Sequence, residues 1–231
     1  MANQSISLNK RVFMVFLVSD AMQGAPDPTV KPIGTAFGLH RPGIALTAAH
    51  IVDGQENLRL RLRLLSTGFK PPRHLHVVDV VAHEQADVAI IHFQPTNDLE
   101  WCTLGRPEEG YHDFPLGEEV AAYGFPMVGI EKPIPGRLMA GHIQCHLDWK
   151  KDHYRYRAYE LSFPAFHNLS GAPVYRDWKR QHAIGVITDS ISYGSTRGDE
   201  HTYAAWSLAA SLVQLRLWIE EVVGSEEVWT P

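Results

Sequence analysis

Three polar residues in this sequence are of the types that nucleophilic catalysis combines. Ser170 lies in Phe166-His167-Asn168-Leu169-Ser170-Gly171-Ala172-Pro173-Val174, a small-residue turn between an apolar segment (159–166) and a β-prone pair, Val174 and Tyr175. On such a turn a serine has open space before its hydroxyl. Backbone N–H groups beside it can hold the oxyanion that its attack creates. Gly171 and Ala172 keep the turn slim, and Asn168 tolerates the positive φ that aims its own N–H inward. Ser-Gly-x-Pro alone is ordinary turn chemistry. A serine becomes a nucleophile only beside a base that takes its proton, and that base needs a buried carboxylate to fix its tautomer. His50 and Asp87 supply one of each, in the chain order His, Asp, Ser.

Each of the three sits at the end of an apolar strand pattern, so a rigid β scaffold would position them. Residues 11–18 hold seven consecutive apolar residues from Val12 to Val18, too short for a spanning helix and without a small-residue cleavage site; they read as a first strand. Strands follow at 33–39, 44–47, 58–64, 76–81 and 88–93. Leu58-Arg59-Leu60-Arg61-Leu62-Arg63-Leu64 alternates throughout, with a solvated arginine face. Residues 1–10 are polar and read as a frayed end. Turn residues cluster at 95–113, the best boundary between two halves. The strand pattern restarts at 119–126 and continues through 137–147, 154–163, 172–175, 183–188 and 202–206. Leu208, Leu212, Leu215, Leu217, Trp218, Val222 and Val223 then recur at helical spacing, with Ser207 as N-cap and Gly224 past the end. Many short strands and one terminal helix predict an all-β sandwich or barrel pair.

Composition narrows the function classes. Net charge is −5 and no basic block exceeds two residues, so nucleic-acid binding has no electrostatic footprint. Two cysteines, Cys102 and Cys145, fit buried thiols in a reducing compartment. No membrane partner is expected. Thirteen histidines raise a metal reading, but His83-Glu84-Gln85-Ala86-Asp87 lacks the second histidine of a zinc-protease helix, and His74 and His76 read as surface residues. No glycine-rich phosphate loop follows a strand. No metal or cofactor is predicted.

Leu46-Thr47-Ala48-Ala49-His50 resembles the histidine motif of chymotrypsin-like (trypsin-like) serine proteases. Ala86-Asp87-Val88-Ala89-Ile90-Ile91 resembles the strand that brings the family's aspartate, and Asn168-Leu169-Ser170-Gly171-Ala172-Pro173 its nucleophile loop. Gly34-Thr35-Ala36-Phe37 and the stretch 116–126 look like the compact bacterial branch that includes the high-temperature-requirement proteases. The resemblance spans roughly residues 11–223.

It implies a single peptidase domain over 1–231 with two six-stranded antiparallel β-barrels, 11–100 and 111–206, a C-terminal helix over 207–224, and a cleft between the barrels. It implies a cytoplasmic, bacterial serine endopeptidase acting on protein or peptide substrates. His50 would be general base and then acid, Asp87 its orienter and Ser170 the nucleophile, with the N–H groups of Asn168 and Ser170 as oxyanion hole. Thr188 would support Asp87 with its hydroxyl. Residues Ile187, Thr188, Asp189 and Ser190 would pair with substrate backbone, and Pro164, Ala165, Phe166 and His167 would shape the specificity pocket.

Three positions depart from the family pattern. Asn168 replaces a glycine, which opens a second reading, a catalytically silent peptide-binding module on the same fold. Leu169 replaces the aspartate that pairs with a newly cut N-terminal amine, so zymogen activation of that kind is not expected and control would fall to a regulatory partner, a ligand or substrate choice. Pro164 stands where trypsin-like members place an acid, which argues against Lys or Arg preference through that acid. Alternation along the strand points the Asp189 side chain away from the pocket. An esterase using the same triad is a third reading.

Overall fold

A computed structural model describes residues 8–17, 32–39, 42–53, 62–96, 98–126, 135–164, 166–177, 179, 181–197, 200–224 and 228–230. Six strands, β1 (Val12–Leu17), β2 (Pro32–Gly38), β3 (Ile44–Thr47), β4 (Leu62–Ser66), β5 (Arg73–Ala82) and β6 (Ala89–Phe93), close an antiparallel barrel in the order β1-β2-β3-β6-β5-β4. Its interior is filled by Phe13, Val15, Leu62, Leu64, Leu75, Ala89, Ile91 and Phe93. The opposite face of β1 (Val12, Met14, Phe16) and of β6 (Val88 just before it, Ile90) belongs to another cluster. Both faces of these strands are therefore buried. That explains why their sequences run apolar without alternation.

The remaining strands are β7 (Thr103–Gly105), β8 (Glu119–Gly124), β9 (Arg137–Lys151), β10 (Tyr154–Leu161), β11 (Pro173–Asp177), β12 (His182–Arg197), β13 (Glu200–Ser211) and β14 (Trp229–Thr230). They form one eight-stranded sheet in the order β11-β8-β9-β10-β13-β12-β7-β14, and β11 also pairs with β12. The expectation of two six-stranded antiparallel barrels thus holds for the first unit. The second is an eight-stranded sheet whose last two members, β7 and β14, add in parallel. β7 falls inside the turn-rich segment read as a boundary; three residues among Pro and Gly carry too little pattern to announce a strand.

A core of Phe114, Val120, Ile143, Tyr159, Leu161, Leu169, Val174 and Ile184 fills the second unit. The cluster between the units joins Leu46 and Ile90 to Tyr175, Val186, Leu212 and Ile219. Each such side chain contributes about 1.5–3 kcal/mol when withdrawn from water, so the two units are fastened by apolar packing.

The terminal helix, α1 (Arg216–Val223), is shorter than its pattern suggests. Ser207 is no N-cap: it lies within β13 beside Leu208, Ala209 and Ala210, all fully buried. A strand buried on both faces has no period of two, and its leucines merge with those of the helix that follows. Gly224 ends the helix as expected, at φ 70° with its N–H on Glu220 O at 2.8 Å. Residues 8–10 are not frayed: Asn9 O accepts Ser66 Oγ at 2.9 Å and Gly68 N at 3.1 Å. Of the alternating Leu–Arg stretch, 58–61 lies outside the described residues and Leu62–Ser66 is a strand.

Candidate active site

His50 stands on a single 3-10 turn, Ala49–Ile51, directly after β3. Ala48 and Ala49 are fully buried, so their small side chains let the turn press against the barrel and lift the histidine ring outward. Asp87 sits two residues before β6, which is antiparallel to β3, so the two strands bring it to His50. Two hydrogen bonds close the pair. His50 N donates to Asp87 Oδ1 at 2.8 Å, and His50 Nδ1 lies 2.7 Å from Oδ2. The carboxylate side chain is 7% exposed and the imidazole 42%. A carboxylate on Nδ1 holds the Nδ1–H tautomer, which leaves Nε2 as the basic nitrogen.

The turn carrying Ser170 comes from the second unit but is held by β2 of the first. Thr35 N donates to Ser170 O at 2.8 Å, Thr35 Oγ1 to Asn168 O at 3.1 Å, and Asn168 Nδ2 to Pro32 O at 2.9 Å. Asn168 has φ 67°, the positive value its residue type allows. Gly171 has φ 85°, and a Cβ there would overlap the Thr35 carbonyl oxygen and Thr47 Oγ1. Only glycine meets both conditions. The N–H groups of Leu169, Gly171 and Ala172 are taken by Phe166 O, Ile187 O and Leu169 O. Those of Asn168 and Ser170 have no intramolecular acceptor among the described residues. Leu169 is fully buried in the core of the second unit.

His50, Asp87, Asn168 and Ser170 line one cavity of about 820 Å³ between the two units. Phe166, His167, Ile187, Thr188, Asp189 and Ser190 line it too. Pro164 is exposed and is not among its lining residues, and Ala165 lies outside the described residues. Among the described residues no group of three His, Cys, Asp or Glu is placed to hold a metal.

One expectation about β12 needs correcting. The Thr188 hydroxyl does not reach Asp87. It donates to Leu208 O at 3.4 Å and accepts from Tyr156 OH at 2.9 Å. The reason is a bulge: Ile187 pairs with Ala209 and Asp189 with Leu208, so Thr188 is the extra residue. The same bulge interrupts the alternation on which the direction of Asp189 was expected, and Asp189 is one of four consecutive residues, 187–190, that line the cavity. Its carboxylate is satisfied there by Lys151 Nζ at 2.8 Å and by Ser190 N at 2.8 Å. Lys151 is correspondingly raised in pKa, first through that hydrogen bond.

Sequence reasoning predicted both strands of the β9–β10 hairpin, at 137–147 and 154–163, but missed their part in the site. Trp149, Lys151, Asp152, Tyr154 and Tyr156 line the cavity. The hairpin also reaches the first barrel: Tyr154 OH donates to Asp53 Oδ2 at 3.1 Å, and Arg155 N to Gln85 O at 2.6 Å. Burial, with Asp87 nearby, pushes the Tyr154 phenol well up, and burial does the same to Tyr156. The sequence signal was the Lys151-Asp152-His153 turn between two strand patterns, which gives a hairpin but not its direction.

A closed antiparallel barrel joined to a second β unit, with a His–Asp pair and a serine turn in the cleft, defines the architecture of a trypsin-like peptidase. The trypsin-like peptidase family matches residues 34–186, and the chain belongs to that family. Solved structures of similar fold include an HtrA-type protease, AlgW, with a decapeptide. Its TM-score is 0.64 at 15% identity, covering 94% of this chain and 66% of that one. The active form of the Rv3671c protease from M. tuberculosis has TM-score 0.61 at 15% identity, covering 93% and 81%. An inactive form of the same protein gives 0.57 at 16%, covering 94% and 89%. No curated protein sequence matches significantly. No described helix is long and apolar enough to cross a membrane.

Proposed function

We propose that the protein is a serine endopeptidase that cuts peptide bonds through an acyl-enzyme on Ser170. The observation that carries this reading is the double hydrogen bond from His50 to Asp87 in a cavity that Ser170 also lines. In the proposed cycle His50 Nε2 takes the Ser170 Oγ proton as the oxygen attacks the peptide carbonyl carbon. Asp87 holds the ring and stabilises the imidazolium. The N–H groups of Asn168 and Ser170 receive the oxyanion, each such donor worth about 3–4 kcal/mol in the transition state. His50 then gives its proton to the leaving amine and the C–N bond breaks. Water enters, loses a proton to His50, attacks the ester, and the proton returns to Ser170 as the acid departs.

The substrate would add as a strand along 187–190, since main-chain bonds bind extended peptides without demanding sequence. Beyond Ile187 the backbone of β12 pairs with β13 alone among the described residues, which leaves its other edge toward the cavity. The decapeptide in the AlgW structure is consistent with a peptide substrate. Phe166, His167 and Ser190, with Pro164 and Ala165, would shape the specificity pocket. Asp189, already paired with Lys151, is not a free acid for a basic side chain.

The ring of pairings β11-β8-β9-β10-β13-β12, closed by β11 on β12, supports reading the second unit as the family's second barrel in a single domain. Buried Leu169 supports a site that does not wait for a cut N-terminal amine; control would come from a partner, a ligand or substrate choice. Two free cysteines are consistent with a reducing compartment such as the cytoplasm.

A fluorophosphonate should label the wild type at Ser170 and leave Ser170→Ala unlabelled, with the adduct located by mass spectrometry. Absence of labelling in the wild type would favour the silent peptide-binding module. Labelling with turnover of esters but of no peptide would favour the esterase.

A further inference from the structure

Asp87 is presented by a tight turn, and one side chain organises that turn. His83 N donates to Val88 O at 2.9 Å and Val88 N to Ala86 O at 2.7 Å, which closes the loop on itself. Inside it, His83 Nδ1 accepts two backbone N–H groups, from Gln85 at 3.0 Å and from Ala86 at 2.9 Å. Asp and Asn cap turns in this way with a side-chain oxygen; here an imidazole nitrogen does it. Acceptance requires an unprotonated Nδ1. Burial lowers the pKa of this ring against the opposing pull of Glu84, which favours that state. The turn is held from outside as well. Arg155 N of β10 donates to Gln85 O at 2.6 Å, and the His83 ring meets Trp218 of α1 edge-on, centroids 5.0 Å apart.

We propose that His83 is a positioning residue for the acid–base pair: its Nδ1 caps the turn that carries Asp87. Asp87 lies one residue beyond the second capped N–H. Its carboxylate must meet both the N–H and the ring of His50, so a shift of the turn moves the acceptor from two bonds at once. The proposal rests on the reading of His50, Asp87 and Ser170 as a triad, and it assigns His83 no contact with substrate.

The side-chain oxygen of asparagine falls near the place of a histidine Nδ1, and that of glutamine near Nε2. His83→Asn should therefore keep kcat near the wild type, whereas His83→Gln should lower it about ten-fold, the loss expected for one or two backbone hydrogen bonds. KM should stay unchanged in both. His83→Phe, which keeps an aromatic ring against Trp218 without the acceptor, should behave like His83→Gln. Equal kcat in His83→Gln and wild type, or equal loss in His83→Asn and His83→Gln, would overturn the proposal.

The proton on His50 Nδ1, read by NMR as a downfield resonance, gives a second measurement that needs no turnover. It should persist in His83→Asn and shift or broaden in His83→Gln. An unchanged resonance in His83→Gln would overturn the proposal even if the wild type cut no peptide. Fluorophosphonate labelling of the wild type tests the peptidase reading separately.

Discussion

The two halves of the candidate site are built by opposite means. His50 and Asp87 both come from the first barrel, on adjacent antiparallel strands, and each reaches the other through short local turns. The Ser170 turn belongs to the second unit, yet its backbone is fixed by Pro32 and Thr35 of β2 in the first. The half that carries His50 and Asp87 is thus complete within one unit, whereas the half that carries Ser170 exists only where two units meet. Disturbing the packing between units should therefore move Ser170 before it moves the His50–Asp87 pair. The β9–β10 hairpin is the reciprocal case, a piece of the second unit that braces the turn carrying Asp87.

Substitutions can sharpen that contrast. The largest effect is expected for Ser170→Ala, which removes the attacking oxygen. On the proposed mechanism kcat falls by roughly a million-fold, measured on any peptide the wild type cuts. Asp87→Asn should cost about ten-thousand-fold in kcat. The amide oxygen can still accept His50 N–H, so the backbone stays in place. Its NH2 would face Nδ1 and force the proton onto Nε2, and crystals of the variant should show an undisturbed turn.

The interface-held half is tested by Gly171→Ala. The added carbon meets Thr35 O at a backbone angle suited to glycine. Activity should fall about 100-fold, and thermal unfolding should report a loss of about 1–3 kcal/mol. The His50 Nδ1 resonance should be unchanged; its loss would mean the two halves are not independent. Thr35→Val is gentler, since it removes the hydroxyl that donates to Asn168 O and accepts a long bond from Phe125 N, and keeps the backbone bond to Ser170 O. It should lower kcat about five-fold, the loss of about 1 kcal/mol expected for the bond to Asn168 O.

The smallest effect concerns the cleft's surroundings. Cys102, fully buried against Tyr175 OH at 3.3 Å, has its thiol pushed up to about 11 by burial. Iodoacetamide at pH 8 should modify half-buried Cys145 first and leave activity intact. Early modification of Cys102 would mean that the seam between the units opens in solution.

Strands with an outer face buried by the other unit were legible as apolar runs, as in Val12–Leu17. The end of β13 was not, because Leu208 to Ala210 is apolar on both faces and blends into the helix after it. The bulge at Thr188 was invisible for a different reason. It is a property of pairing with Ala209 and Leu208, and no residue within 187–190 announces it. Its consequences, Thr188 turned to Tyr156 and Asp189 paired with Lys151, could not be read from alternation.

By itself the sequence determined the chemical types and their order, His50, Asp87 and Ser170, the slim turn at Gly171 and Ala172, and a residue at Asn168 that tolerates positive φ. These follow from side-chain chemistry and local backbone sterics, which depend on near neighbours in the chain. Only the tertiary structure decided that Thr35 supports the serine turn 135 residues away, that a hairpin from the second unit braces the aspartate turn, and that Lys151 neutralises Asp189. Such contacts depend on how two packed units meet, and the free energy that fixes their meeting is spread over a buried apolar seam rather than written in any one motif.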